Sequence, residues 1–374
     1  MDQQLISIKP WKRAVIKVGS TLMTAGTGHI STKYILTIAS FINKCRQRGR
    51  EVVLVSSGAV AAGISTQPGL AGKNQRTIPE RQALAAIGQP LLMEQWGRFF
   101  DFPCAQLLLT YDGIADRKRL FNARNTLTEL LKLGVLPIIN ENDTTAVEEL
   151  KVGDNDNLAA YAAVMSEADL LIICSDVDGL YNRDPRRTSV AEFIPEVHEI
   201  NKEIFALAGD SGSRAGTGGM FTKIQAAEKA ASAGINTVIL NGTKFECFEN
   251  LLRDRLFGTI FYGRQKKISA KRHWMLHVLR SSGSISVDKG AAAVLIEHGA
   301  SLLPSGITGI SGEFCSGDAV DIQDAKGERI ARGLVRYDRR DLESIIGLSS
   351  LEAREVLPGT NGGVVVHRDE MVLV

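Results

Sequence analysis

Asp154, Asn155, Asp156 and Asn157 stand side by side in Lys151-Val-Gly-Asp-Asn-Asp-Asn157, directly before the apolar run Leu158–Val164. Such residues cap helices, and four in a row leave side chains over for a ligand. A helix N-terminus carries unpaired N–H groups and a partial positive charge, which suit carboxylates and phosphates. A second segment, Gly216-Thr-Gly-Gly-Met-Phe-Thr-Lys223, is glycine-rich and opens a helical pattern with a lysine one turn in. Glycines let backbone N–H groups approach phosphate oxygens, and Lys223 supplies charge. The spacing is not that of a Walker A loop, and no strand directly precedes it as the dinucleotide fingerprint requires. Taken singly, the first segment also reads as a well-capped helix and the second as a flexible loop.

Two strand-like runs bring polar residues to their ends. Arg13–Ser20 is β-branched and apolar except for Lys17, which is costly to bury unless it reaches a partner. Glu51–Gly58 delivers Ser56, Ser57 and Gly58 to the end of a buried strand, followed by the small-residue run Ala59–Gly63. In open α/β sheets, ligands bind outside the carboxyl ends of the strands.

The elements around these segments alternate. Apolar strand patterns lie at 12–18, 51–56, 103–109, 134–139, 169–174 and 236–240, and helical patterns at 31–48, 79–100, 117–133, 155–167 and 219–233. This predicts an α/β fold with a mostly parallel sheet sandwiched by helices. Turn residues over 176–200 predict a hairpin or an irregular lobe. After about residue 258 the pattern changes to a basic stretch (Arg264, Lys266, Lys267, Lys271, Arg272) and then to short alternating strands. Those strands are expected at Ser284–Val287, Ala319–Ile322, Arg329–Val335 and Gly363–Val366, with an alanine-rich helix between Asp288 and Gly299. The expected domains are therefore 1–260, a basic linker 261–274, and a smaller β-rich domain 275–374.

The quoted segments, with Asn140–Asp143, Ser175–Tyr181, Asp184-Pro-Arg186 and Gly209-Asp210, together resemble the amino-acid kinase family. Within it they resemble the branch that phosphorylates glutamate. The resemblance implies transfer of the γ-phosphoryl group of ATP to the side-chain carboxylate of L-glutamate. The product is γ-glutamyl phosphate, the first intermediate of proline biosynthesis. ATP as co-substrate, Mg²⁺, feedback inhibition by proline, a homo-oligomer (dimer or tetramer) and a cytoplasmic location are implied with it. By the same resemblance, Lys17 and Lys223 flank the transferring group and Asp156 holds both lysines. Ser57, Asp143 and Asn155 bind glutamate. The nucleotide contacts are Lys17, Gly19, Ser20, Ser175, Asp176, Gly216, Thr217, Gly218, Gly219, Met220 and Lys223. Family members more often carry Thr at the position of Ser175; either residue offers a hydroxyl. The C-terminal part, through Ser301–Gly306, Gly317-Asp318 and Ala331–Gly333, resembles a PUA domain, a module often found on RNA-modifying enzymes.

Composition narrows the classes. The chain has 374 residues, 44% of them apolar, enough for two domains with sizeable cores. A net charge of +2 is low for a tight tRNA binder, which weighs against an RNA-binding protein with a degenerate kinase domain. Kinases acting on N-acetylglutamate, aspartate or carbamate are the nearer alternative; Asn140–Asp143 and the C-terminal domain weigh against them. The five cysteines lack C-x-x-C spacing, which predicts reduced thiols rather than disulfides or zinc. His273 and His277 have i, i+4 spacing but no evident third ligand. No carboxylate stands out as a Mg²⁺ ligand, so no protein metal ligand is expected. No secretory signal pattern and no run of membrane-spanning length is seen.

Overall fold

A computed structural model describes residues 5–25, 30–67, 69, 76–146, 155–183, 185, 188, 190–208, 219–265, 275–276, 279–357 and 363–373. The chain divides into two compact units, Met1–Lys267 and Ile268–Val374.

The first unit is built on eight strands: β1 (Arg13–Val18), β2 (Glu51–Ser56), β3 (Cys104–Leu109), β4 (Leu136–Glu141), β5 (Leu170–Ser175), β6 (Glu196–Val197), β7 (Asn236–Asn241) and β8 (Thr259–Phe261). Their order across the sheet is β3-β4-β2-β1-β5-β7-β8-β6. The first six in that order run parallel; β8 is antiparallel to β7. The parallel strands other than the edge strand β3 are buried on both faces, so they read as continuous apolar runs. The main helices are α1 (Ser20–Thr24), α2 (Thr32–Gln47), α3 (Ala59–Thr66), α4 (Ile78–Gly97), α5 (Arg117–Lys132), α6 (Asn155–Met165), α7 (Met220–Ser232) and α8 (Phe245–Leu251); Tyr111–Ala115 and Lys202–Leu207 are shorter ones. One core joins Ile16 and Leu54 of the sheet to Phe41, Trp96 and Phe248 of the helices.

β1 is the switch point of the sheet: the chain builds outward to β2 on one side and later returns to β5 on the other. In register, Val18 stands beside Ser56 and Cys174, and Ser175 beside Asn241. The carboxyl ends therefore form one ledge, the place where open α/β sheets bind ligands. β1 is a central strand, which removes the alternative of a solvated edge lysine for Lys17. In the irregular lobe, Leu180–Tyr181 pairs antiparallel with Phe193–Ile194, the hairpin that the turn residues predict.

α3 and α4 touch backbone to backbone. A Cβ on Gly63 would stand 2.1 Å from the Leu84 carbonyl oxygen, and one on Gly88 1.8 Å from that of Ala59. No side chain fits either position. A Thr77–Glu80 capping box fixes the start of α4. This close packing sets the depth of the residue after Gly88, which is Gln89.

The second unit holds β9 (Gly283–Val287), α9 (Lys289–His298), β10 (Ile307–Gly312), β11 (Ala319–Gln323), β12 (Arg329–Val335), α10 (Arg339–Ile345), α11 (Ser350–Val356) and β13 (Val366–Leu373). Its sheet order is β10-β9-β11-β12-β13. Ile285, Val287, Val320, Ile322, Leu342 and Ile345 share its core. Asp321 and Arg332 face each other across β11 and β12 in a two-armed ion pair, 2.7 and 3.1 Å. The last strand corrects the expectation of Gly363–Val366: it begins at Val366 and pairs with β12. Its first half carries the charged run Arg368–Glu370, which on an edge strand discourages pairing with other chains.

Candidate active site

Lys17 projects from the end of β1, and Lys223 from the first turn of α7. Between them lies Asp156, in the first turn of α6. Lys17 Nζ is 2.6 Å from Asp156 Oδ1, and Lys223 Nζ is 3.0 Å from Oδ2. Thr222 Oγ1 also donates to Oδ2, at 2.9 Å. Lys17, Asp156 and Lys223 are 3%, 0% and 6% exposed. Burial pushes the Asp156 carboxyl up, but Lys17 and Lys223 more than offset it and hold the group at about 2. The trio is locked: two lysine side chains grip one carboxylate, each from a different oxygen.

Backbone donors surround the trio. Gly219 opens α7 without a side-chain cap of its own, and the start of a helix suits an anion. Gly58, held at φ 113°, opens α3 in the same way after Ser57. Gly19 precedes α1, and a Cβ there would lie 3.4 Å from Lys17 Nζ. Ser20 is exposed and Met220 begins α7. Gly216, Thr217 and Gly218 lie outside the described residues, as do Asp154, Asp184, Arg186, Gly209, Asp210, His273 and His277.

On the β2 side, Asn155 Nδ2 donates to Ser57 Oγ at 2.6 Å and to Asn140 Oδ1 at 2.9 Å. These two expected glutamate contacts therefore touch each other. Asp143 lies in the turn after β4, half-buried. Asn157 points elsewhere: it accepts from Lys229 of α7 at 2.6 Å. On the β5 side, Ser175 is buried at the strand end and donates to Asp176 at 3.3 Å, while Asp176 is exposed. Beside them, Asp178 receives Asn241 Nδ2 at 2.8 Å and Lys244 Nζ at 2.7 Å. Cys174 also reaches this ledge, but burial pushes its thiol up to about 12, so it is no nucleophile at neutral pH.

Sequence reasoning did not single out Thr222, Asp178, Asn241, Lys244 or Gln89. Thr222 had a signal, its place directly before Lys223. Asn241 and Lys244 had one too, since they follow a strand whose carboxyl end joins the ledge. Among the described residues, no three His, Cys, Asp or Glu side chains gather as a metal site. No helix among them is long and apolar enough to cross a membrane.

The arrangement suits a polyanion that must meet a second anion: fixed positive charge, uncapped helix starts, and a neighbouring pocket of neutral donors and acceptors. Known proteins resemble the chain along its whole length. The profile described as the amino acid kinase family matches residues 12–241, and the profile of the PUA domain matches residues 283–357. A protein of Salinibacter ruber named glutamate 5-kinase is 51% identical over 371 residues, covering 98% of this chain and 99% of that one. A protein of Idiomarina loihiensis with the same name is 48% identical over 367 residues, covering 97% and 98%. One of Xanthomonas campestris, again so named, is 47% identical over 363 residues, covering 96% and 100%.

Proposed function

The chain belongs to the amino acid kinase family, and from that membership we propose that it phosphorylates the side-chain carboxylate of L-glutamate with ATP. The observation that carries this reading is the buried bridge Lys17–Asp156–Lys223 at the switch point of the sheet. A glutamate side chain with a pKa of about 4.3 is already ionised at neutral pH, so the reaction needs no general base. One carboxylate oxygen attacks the γ-phosphorus of ATP in line. An O–P bond forms, the bond from the γ-phosphorus to the β,γ-bridging oxygen breaks, and ADP leaves with that electron pair. The obstacle is repulsion between two anions, so catalysis is positioning and charge stabilisation.

Lys17 and Lys223 supply that charge at the transferring group. Asp156 sets their separation and takes no proton, because its carboxyl stays ionised far below neutral pH. Gly19, Ser20 and Gly216–Met220 offer backbone or hydroxyl donors to the phosphates. Ser175 and Asp176 face the rest of the nucleotide. Ser57, Asn155 and Asp143 hold glutamate, with Asp143 suited to its ammonium group.

The described residues do not fit a protein-held divalent ion, since both oxygens of Asp156 already face lysine ammonium groups. Mg²⁺ is accordingly assigned to the nucleotide's phosphates and water. Proline inhibition near the glutamate subsite, a dimer or tetramer, a cytoplasmic location, and the domain limits 1–260, 261–274 and 275–374 belong to the same reading. No RNA-binding role is assigned to the PUA domain.

The subsite assignment has a direct test. Asp143→Ala should raise KM for glutamate about tenfold or more while KM for ATP changes little, because the lost partner is the substrate ammonium. Steady-state kinetics with each substrate varied measures both. A rise confined to ATP would reverse the two subsites.

A further inference from the structure

A chain of side-chain amides runs from the substrate pocket to the far edge of the sheet. Asn155 Nδ2 donates to Asn140 Oδ1 at 2.9 Å, and Asn140 Nδ2 donates to Gln89 Oε1 at 2.9 Å. Gln89 Nε2 donates in turn to Gln106 Oε1 on β3, at 3.2 Å. Every link points the same way, from α6 through β4 and α4 to β3. Gln89, Asn140 and Asn155 are all buried, so each amide depends on its neighbour for its partner.

The direction matters at the pocket end. Asn155 Nδ2 has two protons, and both are used: one on Asn140, one on Ser57 Oγ. Its carbonyl oxygen is thereby turned away from both. Ser57 Oγ, acting as acceptor, keeps its own proton for a further partner. The pocket so presents a hydroxyl donor next to an amide acceptor, which match the carboxylate and the ammonium of an amino acid. Turning the Asn155 amide over would replace that acceptor with a donor facing the ammonium.

We infer that Gln89 is a positioning residue for the amino-acid substrate: through Asn140 it fixes the amide orientation of Asn155 without touching substrate itself. The inference rests on the glutamate-kinase reading above. Gln89 is held for this task by the backbone contact of its neighbour Gly88 with Ala59.

The test compares wild type with Gln89→Met, Gln89→Glu and Gln106→Leu. Met keeps the length of Gln but loses the acceptor for Asn140. Glu keeps the acceptor and loses only the link to Gln106. Gln89→Met should raise KM for glutamate about tenfold and leave KM for ATP within about twofold. Gln89→Glu should recover most of the loss, and Gln106→Leu should resemble wild type. Placed on an Asn155→Ala background, Gln89→Met should have no further effect on KM for glutamate, since it acts through Asn155. Where Gln89→Met is insoluble, Asn140→Asp keeps the acceptor for Asn155 but loses the donor to Gln89, and should give the same readout. An unchanged KM for glutamate, an equal rise for both substrates, or an effect that persists without Asn155 would overturn the inference. Wild-type protein inactive on glutamate would instead refute the reading beneath it.

Discussion

Lys17→Ala and Lys223→Ala should each lower kcat by on the order of 10²-fold or more, with a smaller change in KM for glutamate. Each ammonium group is carried on a rigid element, β1 or the first turn of α7, and is pinned by the same carboxylate. A charge held this way needs no reorganisation as the phosphoryl group transfers, so its contribution is felt mainly in the transition state. Both side chains are more buried than a pocket-lining role alone requires, at 3% and 6% exposure. Each variant should therefore also lose some stability, yet remain folded, because Asp156 keeps its other lysine. Stopped-time assays of ADP release on variants checked by circular dichroism give the answer. Near-normal turnover in either variant removes that lysine from the mechanism.

Asp156→Ala should be worse for the fold than either lysine change. It takes the shared carboxylate from two buried ammonium groups at once. Breaking a buried ion pair by removing one partner costs about 3–5 kcal/mol. In a unit of this size that corresponds to a fall in Tm of roughly 10 °C. Turnover should drop with it, because the two lysines lose their common anchor. The pH dependence has a definite sign. The Asp156 carboxyl is depressed from 3.8 to about 2 in the folded chain. Its contribution is thus complete above 3.8 and lost as pH falls through about 2. The stability gap between wild type and Asp156→Ala should persist down to about pH 4 and close only in strong acid. A gap already closed at about pH 4 would mean that another group carries the stability.

Much of the catalytic unit was legible in the sequence, for a physical reason. Strands buried on both faces must be apolar throughout, and the ledge at their ends must be polar and glycine-rich. The junctions at Val18-Gly19, Ser56-Ser57 and Cys174-Ser175 therefore stood out. Lys17 was conspicuous because a lysine in an apolar strand needs a partner, and the partner is Asp156. The edge elements were harder. β6 and β8 are two and three residues long, too short to show a period. β13 hides its pattern under His367–Glu370, and β10 carries Gly309 and Gly312, which weaken any strand signal. α10 and α11, seven residues each, are also too brief for a clear helical repeat.

The amide chain was invisible for a different reason. Gln89 reads as an ordinary polar residue in a helical pattern. Its meeting with Asn140, 51 residues away, depends on how far α4 sinks against α3 and the sheet. The contact of Gly63 and Gly88 with the facing backbones helps set that depth. Distances of this kind follow from packing rather than from local spacing. The Asp178–Lys244 pair is similar, since it joins the lobe after β5 to the start of α8 across 66 residues of chain.

This protein should make an acyl phosphate on the side chain of free glutamate. The most direct measurement is hydroxylamine trapping with purified protein, ATP and Mg²⁺, against glutamate, N-acetylglutamate, aspartate and carbamate in parallel. A hydroxamate should form from glutamate, at a rate matching ADP release, with at most traces from the others. A dominant signal with N-acetylglutamate, aspartate or carbamate would contradict it, as would ADP release with no trapped product.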